Sequence, residues 1–183
     1  MSDSTGFPIL QTRRIQLRRI VTSDLDSLFT GLSNPAVTNW YGLSYSSMEE
    51  TRAQLTWFDH ILEQRSGIWW AICRPENPAD LLGTCGFYDY DKENRNTDMG
   101  YWLHPENWGK QIMSESLRMI LHYGFSKLNL HRVEAEVEPQ NLASSQLLRK
   151  LAFTLEGRRR QCEWREDHFI DLDYYSLLSK EFT

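Results

Sequence analysis

One stretch of the chain, residues 98–125, joins a strand pattern, a polar loop and a helix pattern without interruption. Its first part alternates, with Met99, Tyr101 and Leu103 on one side, as a half-buried strand does. A proline two positions later ends the ladder, because it has no N–H to donate. From Ile112 onward apolar residues recur every three or four positions, which predicts an amphipathic helix. Such a helix directs its unpaired N–H groups at one spot, where anions and above all phosphates bind.

Length and composition limit the classes of protein to which this chain can belong. Its 183 residues, 40% of them hydrophobic and 25% charged, suit one soluble domain with a sizeable core. A net charge of −5 argues against a nucleic-acid binder, and apolar runs such as 68–73 are too short to span a membrane. The first eight residues lack the blocks of a signal peptide. Three separated cysteines without metal-ligand spacing indicate reduced thiols, no metal and a cytoplasmic location.

The remaining periodicities predict a loose N-terminal arm at 1–12 and a single domain at 13–183. The fold class is α/β (α+β), with a mixed, mostly antiparallel sheet of about seven strands and four helices. We expect one parallel crossover, formed by the strand–helix–strand unit between 98 and 138. The predicted strands lie near 14–20, 68–73, 81–90, 98–103, 131–138, 153–165 and 168–178.

Local signals predict where the helices begin and end. Ser23 is expected to cap the first helix, and Ser47 with Glu50 to form a capping box for the second. The segment between these helices, 36–45, is expected to be an aromatic connection without a helix. Asn129 is expected to end the long helix, and the last two strands to turn at residues 166–167.

Several motifs in order along the chain resemble those of the Gcn5-related N-acetyltransferase superfamily. The similarity is to the branch that contains the ribosomal-protein N-terminal acetyltransferases, and it runs from about residue 12 to the C-terminus. The motifs are G-Y-W-L-x-P-x-x-W-G-K at 100–110, Glu115, L-H-R-V-E-A-E-V at 130–137, N-L-A-S at 141–144, L-L-R-K-L-A-F at 147–153, E-G-R at 156–158 and D-x-D-Y-Y-S-L-L at 171–178. The resemblance implies an enzyme that uses acetyl-coenzyme A to acetylate an amine.

The resemblance also assigns roles to individual residues. Backbone groups of Leu103 would pair with the pantetheine arm of the coenzyme, and Asn141 would contact the same arm. Ser144 would lie near the leaving thiol. The backbone amides that would cradle the pyrophosphate are those of Gly109, Lys110, Gln111, Ile112, Met113 and Ser114.

The chain departs from the family pattern at positions that matter. Gln111 replaces a loop glycine, with Trp108 and Met113 at the flanking positions of the same motif. If that position needs a positive φ, glutamine costs on the order of 1–2 kcal/mol relative to glycine, unless Gly109 takes the turn. Two further departures, farther along the chain, are Ala152 in place of a glycine and Leu148 in place of an acid tyrosine.

Acetyl transfer needs a neutral amine and a proton for the departing thiolate. An α-amine near pKa 8 costs roughly 1.4 kcal/mol to deprotonate at pH 7, whereas a lysine costs nearly 5 kcal/mol, in order-of-magnitude terms. Asp98 is the candidate base, acting through water, and a solvent-facing strand end is its alternative interpretation. Ser144 is the candidate acid. Its alternative is a first-turn serine that satisfies the helix N-terminus, as Asn141 also can.

Other chemistry-bearing residues are interpreted as structural or exposed. Glu134 and Glu136 are expected to form a surface ladder, and His104 to be exposed in its loop. Trp69 and Trp70 point to opposite faces of a strand, so at most one of them can line a substrate groove. The remaining two are His131, interpreted as structural, and the basic run 158–160 beside Trp164, interpreted as a solvated edge.

The sequence therefore predicts direct acetyl transfer in a ternary complex, with a protein or peptide N-terminus as the acceptor. A small amine such as an amino acid, a polyamine, an amino sugar or an antibiotic is the first alternative. A non-catalytic acyl-coenzyme A sensor is the second, because Gln111 and the missing tyrosine weaken the family match. We expect no nucleic-acid or membrane partner, and both a monomer and a homodimer remain open.

Overall fold

The computed structural model describes residues 6–165 and 167–182, which form an eight-stranded sheet and five α-helices. The strand order is β1-β2-β3-β4-β5-β6-β8-β7. Two short 3₁₀ turns, at Thr22–Asp24 and Pro105–Asn107, connect these elements. None of the described helices is both long and apolar enough to cross a membrane. The elements are β1 (Leu10–Gln11), β2 (Gln16–Arg19), α1 (Leu25–Leu32), α2 (Pro35–Tyr41), α3 (Met48–Glu63), β3 (Ile68–Cys73), β4 (Gly83–Asp91), β5 (Asn96–Leu103), α4 (Ile112–Lys127), β6 (Arg132–Val137), α5 (Leu142–Lys150), β7 (Thr154–Arg165) and β8 (His168–Leu178).

The connection from β5 through α4 to β6 is the parallel crossover that the sequence predicts. Within the described chain, β5 and β6 pair in parallel and the other strand pairs are antiparallel. The parallel pairing extends only from Asn96 opposite Arg132 to Asp98 opposite Glu134. Beyond these three pairs the two strands separate, and this separation creates the site described below.

The element counts exceed those predicted, for two physical reasons. First, the described part of the N-terminal arm is not loose, since Leu10–Gln11 pair with β2 as an edge strand and Phe7 packs 5.9 Å from Trp70. The carbonyl of Pro8 accepts a hydrogen bond from the indole of Trp70 at 2.9 Å. These contacts hold the arm against the main core, with Phe7 and Leu10 half-buried.

Second, the segment expected to be an aromatic connection contains helix α2. The side chain of Asn34 accepts a hydrogen bond from the amide of Ala36 at 3.0 Å, and Pro35 occupies the first helical position. Asparagine followed by proline is a helix start as readily as a helix stop. Gly42, at φ 73°, ends the helix. The expectation of an irregular connection was therefore wrong.

Of the predicted helix caps and ends, those at Ser47 and Asn129 are confirmed and the one at Ser23 is wrong. Ser47 caps α3 through the amide of Glu50 at 3.2 Å, although the carboxylate of Glu50 accepts from the amide of Ser46 rather than of Ser47. Ser23 does not cap α1, because it lies inside the Thr22–Asp24 turn. Asn129 lies two residues past the end of α4, directly after the C-cap residue Leu128, with φ 55°, as expected of a helix-terminating asparagine. The turn predicted at residues 166–167 includes residue 166, which lies outside the described residues.

The sheet separates two apolar clusters. The larger one lies under α4 and α5 and includes Trp70, Leu117 and Tyr175, which are almost fully buried. The smaller one lies under α1 and α3 and includes Trp69 and Trp102. Trp69 and Trp70 thus lie on opposite faces, as the alternation predicts.

Candidate active site

The separation of β5 and β6 opens a cleft with a volume of about 1110 Å³. One half is lined by the loop before α4 and by α5, including Gly109, Gln111 and Ser144. The other half, called the acceptor half below, is lined by residues of α2, α3, β3 and β4. The cleft therefore connects the two faces of the sheet, so that a donor on one face and an acceptor on the other can meet in it.

The loop before α4 is shaped like an anion cradle. Gly109 and Gln111 both have left-handed backbones, with φ 72° and φ 62°, and Gln111 is the N-cap residue of α4. No side chain caps this helix end. The sequence left open whether Gly109 alone would have the left-handed conformation. It does not, and Gln111 has the strained backbone as well. The uncapped end suits a phosphate, because its N–H groups and dipole favour negative charge.

Leu103 is the last residue of β5 and lies beside this loop. Its carbonyl accepts a hydrogen bond from the indole N–H of Trp108 at 2.9 Å. A carbonyl oxygen has two lone pairs, so one remains for an incoming amide. The bond also anchors Trp108, which is 48% exposed at the cleft.

The segment before β2 braces the loop from the other side. The guanidinium of Arg14 forms a 2.9 Å ion pair with Glu115 and donates a 3.3 Å hydrogen bond to the carbonyl of Lys110. The hydroxyl of Thr12 donates to the same carboxylate at 2.5 Å. Glu115, a motif residue in the sequence, thus ties the first turn of α4 to the N-terminal segment.

Ser144 lies in the first turn of α5 and faces a tyrosine. The side chain of Asn141 caps α5 by accepting a hydrogen bond from the amide of Ser144 at 3.1 Å. The hydroxyl of Ser144 lies 2.6 Å from that of Tyr101. Burial raises the pKa of Tyr101 to about 12, so its hydroxyl stays protonated. The sequence did not single out Tyr101, because the alternation assigned it to the core face of its strand.

Leu148 stands at the position for which the sequence resemblance implied an acid tyrosine. It is fully buried in the larger core and offers no hydroxyl to the cleft. In the described chain the hydroxyls that meet at this end of the cleft are those of Tyr101 and Ser144.

Asp98 lies on the acceptor face but does not line the cleft. Burial, and then the charges of Glu134, Glu136 and Asp89, raise its pKa to about 6. Glu134 bonds Arg132 at 2.6 Å, as expected of a surface ladder. Glu136 is exposed, as expected, but it also lines the cleft.

The acceptor half of the cleft is rich in aromatic rings. Trp57 and Trp69 lie 5.3 Å apart between ring centroids, and Tyr88 lies 6.1 Å from Trp69. Burial raises the pKa of Tyr88, and the charges of Asp98 and Glu136 raise it further. Asp98 lies directly opposite Tyr88 and Glu134 in the neighbouring strands, and Glu136 is two residues after Glu134, so both carboxylates lie on the same side of the sheet as Tyr88.

His104 is not the exposed loop residue that the sequence suggested. It is 6% exposed and its ring packs edge-on against Trp102, with the centroids 5.1 Å apart. Burial lowers the pKa of His104. Its position under Trp102 explains the difference, because tertiary packing and not the local loop sequence sets its exposure.

Comparison with known proteins assigns the family. Residues 14–154 match the model of the acetyltransferase (GNAT) domain. The chain belongs to this family. An uncharacterized N-acetyltransferase of Bacillus subtilis, YoaA, is 36% identical over 94% of this chain and 97% of its own length. The protein is thus an acyltransferase of the GNAT type, as the motifs predicted.

Two solved structures share the GNAT fold. The ribosomal L7/L12 α-N-protein acetyltransferase RimL, in complex with coenzyme A, superposes with a TM-score of 0.84 at 24% identity, over 93% of this chain and 98% of its own. The spermidine N-acetyltransferase of Vibrio cholerae, in complex with coenzyme A and spermine, has a TM-score of 0.82 at 18% identity, over 93% and 98%. One acts on a protein and the other on a polyamine, so the fold leaves the acceptor undecided.

Proposed function

We propose that this enzyme transfers the acetyl group of acetyl-coenzyme A to the N-terminal amine of a peptide or protein. The observation that carries the proposal is the cleft through the sheet, with an uncapped helix end in one half and the carboxylate of Glu136 together with aromatic rings in the lining of the other. The family assignment supports the reaction. The following arguments concern the donor, the acceptor and the proton transfers.

The donor half fits a coenzyme A molecule. The amides of 109–114 would hold its pyrophosphate, because the left-handed turns at Gly109 and Gln111 leave the end of α4 open. The free lone pair of Leu103 and the amide side chain of Asn141 would hold its pantetheine arm. The bound coenzyme supplies an activated acetyl thioester.

The acceptor half favours an amine with a single positive charge. Among the described residues that line the cleft, Glu136 is the only carboxylate and Lys150 the only lysine or arginine. Asp98, Glu134 and Asp89 lie nearby but outside this lining. A polyamine would bring at least one further ammonium group, which would have no second carboxylate of the lining to pair with, and a charge taken from water without a partner is costly. A peptide N-terminus brings one, which Glu136 can pair.

Asp98 and Glu136 are the proposed proton acceptors. An α-amine is only about one pKa unit above neutral pH, so a modest base suffices. The pKa of Asp98, about 6, is closer to neutrality than that of an ordinary aspartate, which improves its match as a general base. Since Asp98 does not line the cleft, we propose that it takes the proton through water beside Glu136.

Ser144 is the proposed proton donor to the departing thiolate, and its hydroxyl regains the proton that the attacking nitrogen must lose as the amide forms. Its hydroxyl can direct its proton into the cleft while accepting the hydrogen bond of Tyr101. Tyr101 would thereby fix the orientation of the serine hydroxyl. The cap on its amide holds Ser144 in the first turn of α5.

An acceptor screen tests the proposal. Release of free coenzyme A thiol is measured with acetyl-coenzyme A and a panel of short peptides, free amino acids and spermidine. Turnover on peptides with free N-termini, lost when the peptides are N-terminally blocked, is the expected result. Turnover restricted to spermidine or free amino acids would refute the acceptor assignment, and coenzyme binding without turnover would favour the sensor.

Two variants test the proton donor. Ser144→Ala should lower kcat by roughly 10²-fold or more, the usual size of a general-acid contribution. Ser126→Ala is the matched control, because that hydroxyl bonds a carbonyl of its own helix and lies outside the cleft lining.

A cytoplasmic location and independence from metals stay predictions from the sequence, and dialysis against EDTA should leave the activity unchanged.

A further inference from the structure

The acceptor half of the cleft contains three aromatic rings from three different elements. Trp57 of α3, Trp69 of β3 and Tyr88 of β4, together called the aromatic chamber, lie with ring centroids between 5.3 and 6.3 Å apart. All three line the cleft. Trp69 is 4% exposed and forms the base, whereas Trp57 and Tyr88 are half-buried and present accessible ring surface.

Two glycines make room for the base of the chamber. A Cβ atom at Gly86 or at Gly100 would lie 2.6 Å from an atom of the Trp69 indole, which is closer than real Cβ contacts allow. The indole therefore lies across two strands that carry no side chain at those points. Trp57 and Tyr88 pack on this indole, and these two half-buried rings present the apolar surface to the cleft.

The segment around α2 extends the same apolar surface. Trp40, Tyr41 and Tyr45 line the cleft, and Trp40 is 44% exposed. Against this aromatic surface the cleft lining offers one carboxylate, that of Glu136. An occupant that satisfies both features has one amine and, beside it, a large apolar group.

We propose that the acceptor is a peptide whose first residue has a large apolar side chain, such as methionine, leucine or phenylalanine. The amine lies toward Glu136 and the side chain packs between the aromatic chamber and Trp40. This inference rests on the proposed function and names its substrate class. A serine or alanine in the same place would leave much of the apolar surface in contact with water, so the enzyme discriminates against small first residues.

Matched peptides test the inference. Hexapeptides that differ only in the first residue, phenylalanine or leucine against serine or alanine, are compared by thiol release. We expect kcat/KM to be roughly tenfold or more higher for the apolar peptides, the discrimination typical of a hydrophobic pocket. Equal values, or a preference for serine, would overturn the inference but leave the proposed function standing. No turnover on any peptide, with turnover on free amines, would refute both.

Variants of Trp40 test whether this aromatic surface causes the preference for a large apolar first residue. Trp40→Ala should reduce the ratio of the apolar to the serine kcat/KM by raising KM for the apolar peptides, and Trp40→Phe should restore part of it. Trp164→Ala is the matched control, because Trp164 is 59% exposed and outside the cleft lining. If Trp40→Ala left the ratio unchanged, or Trp164→Ala changed it equally, the assignment of the preference to this surface would be wrong.

Discussion

Replacing Gln111 by glycine should stabilise the protein and preserve or improve coenzyme binding. Gln111 has φ 62°, in the left-handed region that costs an L-residue about 1–2 kcal/mol. A glycine avoids this strain but loses about 0.5–1 kcal/mol more chain entropy on folding. The net gain in the free energy of unfolding is therefore about 0.5–1 kcal/mol.

Chemical unfolding in urea measures the gain, with the slope of the transition unchanged between variants. In a chain of 183 residues a gain of this size should raise Tm by about 1–4 °C. Isothermal titration with coenzyme A measures affinity. Because the loop already has the left-handed backbone in the free protein, we expect Kd to be equal or lower for the glycine variant.

Two alanine variants separate backbone strain from side-chain contacts. Gln111→Ala keeps the strained backbone and removes the amide, so it should match the wild type in stability. Gly109→Ala introduces the same strain at φ 72°, where a Cβ has open space, and should cost about 1 kcal/mol. An equal and large loss of coenzyme affinity in both Gln111 variants would show that the glutamine side chain binds the ligand, and the reasoning from backbone strain would fail.

Three further predictions concern residues outside the loop turn. Ala152→Gly should raise the unfolding free energy by about 0.5–1 kcal/mol in urea, because Ala152 has φ 68° after α5. Asp98→Asn should raise it by about 1–2 kcal/mol at pH 8 and by almost nothing at pH ~3. A carboxyl whose folded pKa is raised to about 6 begins to lose its stabilising contribution as pH rises past its unfolded pKa of about 3.9, and the loss is complete once pH has passed the folded value. Glu115→Gln should cost less than about 1 kcal/mol in stability but weaken coenzyme binding in titration, because Arg14 loses the partner that holds it on Lys110. Unchanged stability of Ala152→Gly, a pH-independent effect at Asp98, or an unchanged Kd at Glu115 would contradict these expectations.

Prediction from the sequence succeeds where the local pattern and the tertiary structure favour the same conformation. Between β5 and α4 the spacing of the apolar residues changes from every second position to every third or fourth. This change predicts both elements, and helix α4 begins at Ile112 as predicted. The cap of α5 by Asn141 is local as well, since donor and acceptor are three residues apart. These signals survive folding because no distant residue competes for the same groups.

Prediction fails where distant residues decide. The exposure of His104 depends on its packing against Trp102, and the proline beside it gave no sign of burial. Tyr101 shares the inward face of β5 with Met99, but past Asp98 the neighbouring strand moves away and the same face becomes the wall of a cleft. Period-two alternation gives the side of the sheet on which a residue lies, not whether that side is packed or open.

Gln111 and Ala152 stand at two positions for which the sequence resemblance implied glycine. Gln111 and Ala152 both keep a left-handed conformation that glycine adopts without strain. At Ala152 the amides of Ala152 and Phe153 bond back into α5 at 3.0 Å, which offsets the strain locally. At Gln111 no such cap exists, and the neighbouring loop is held instead by Trp108 on Leu103 and by Arg14 on Lys110. The loop conformation is therefore imposed by tertiary contacts, so weakening these contacts should affect coenzyme binding more than it affects the stability of the fold.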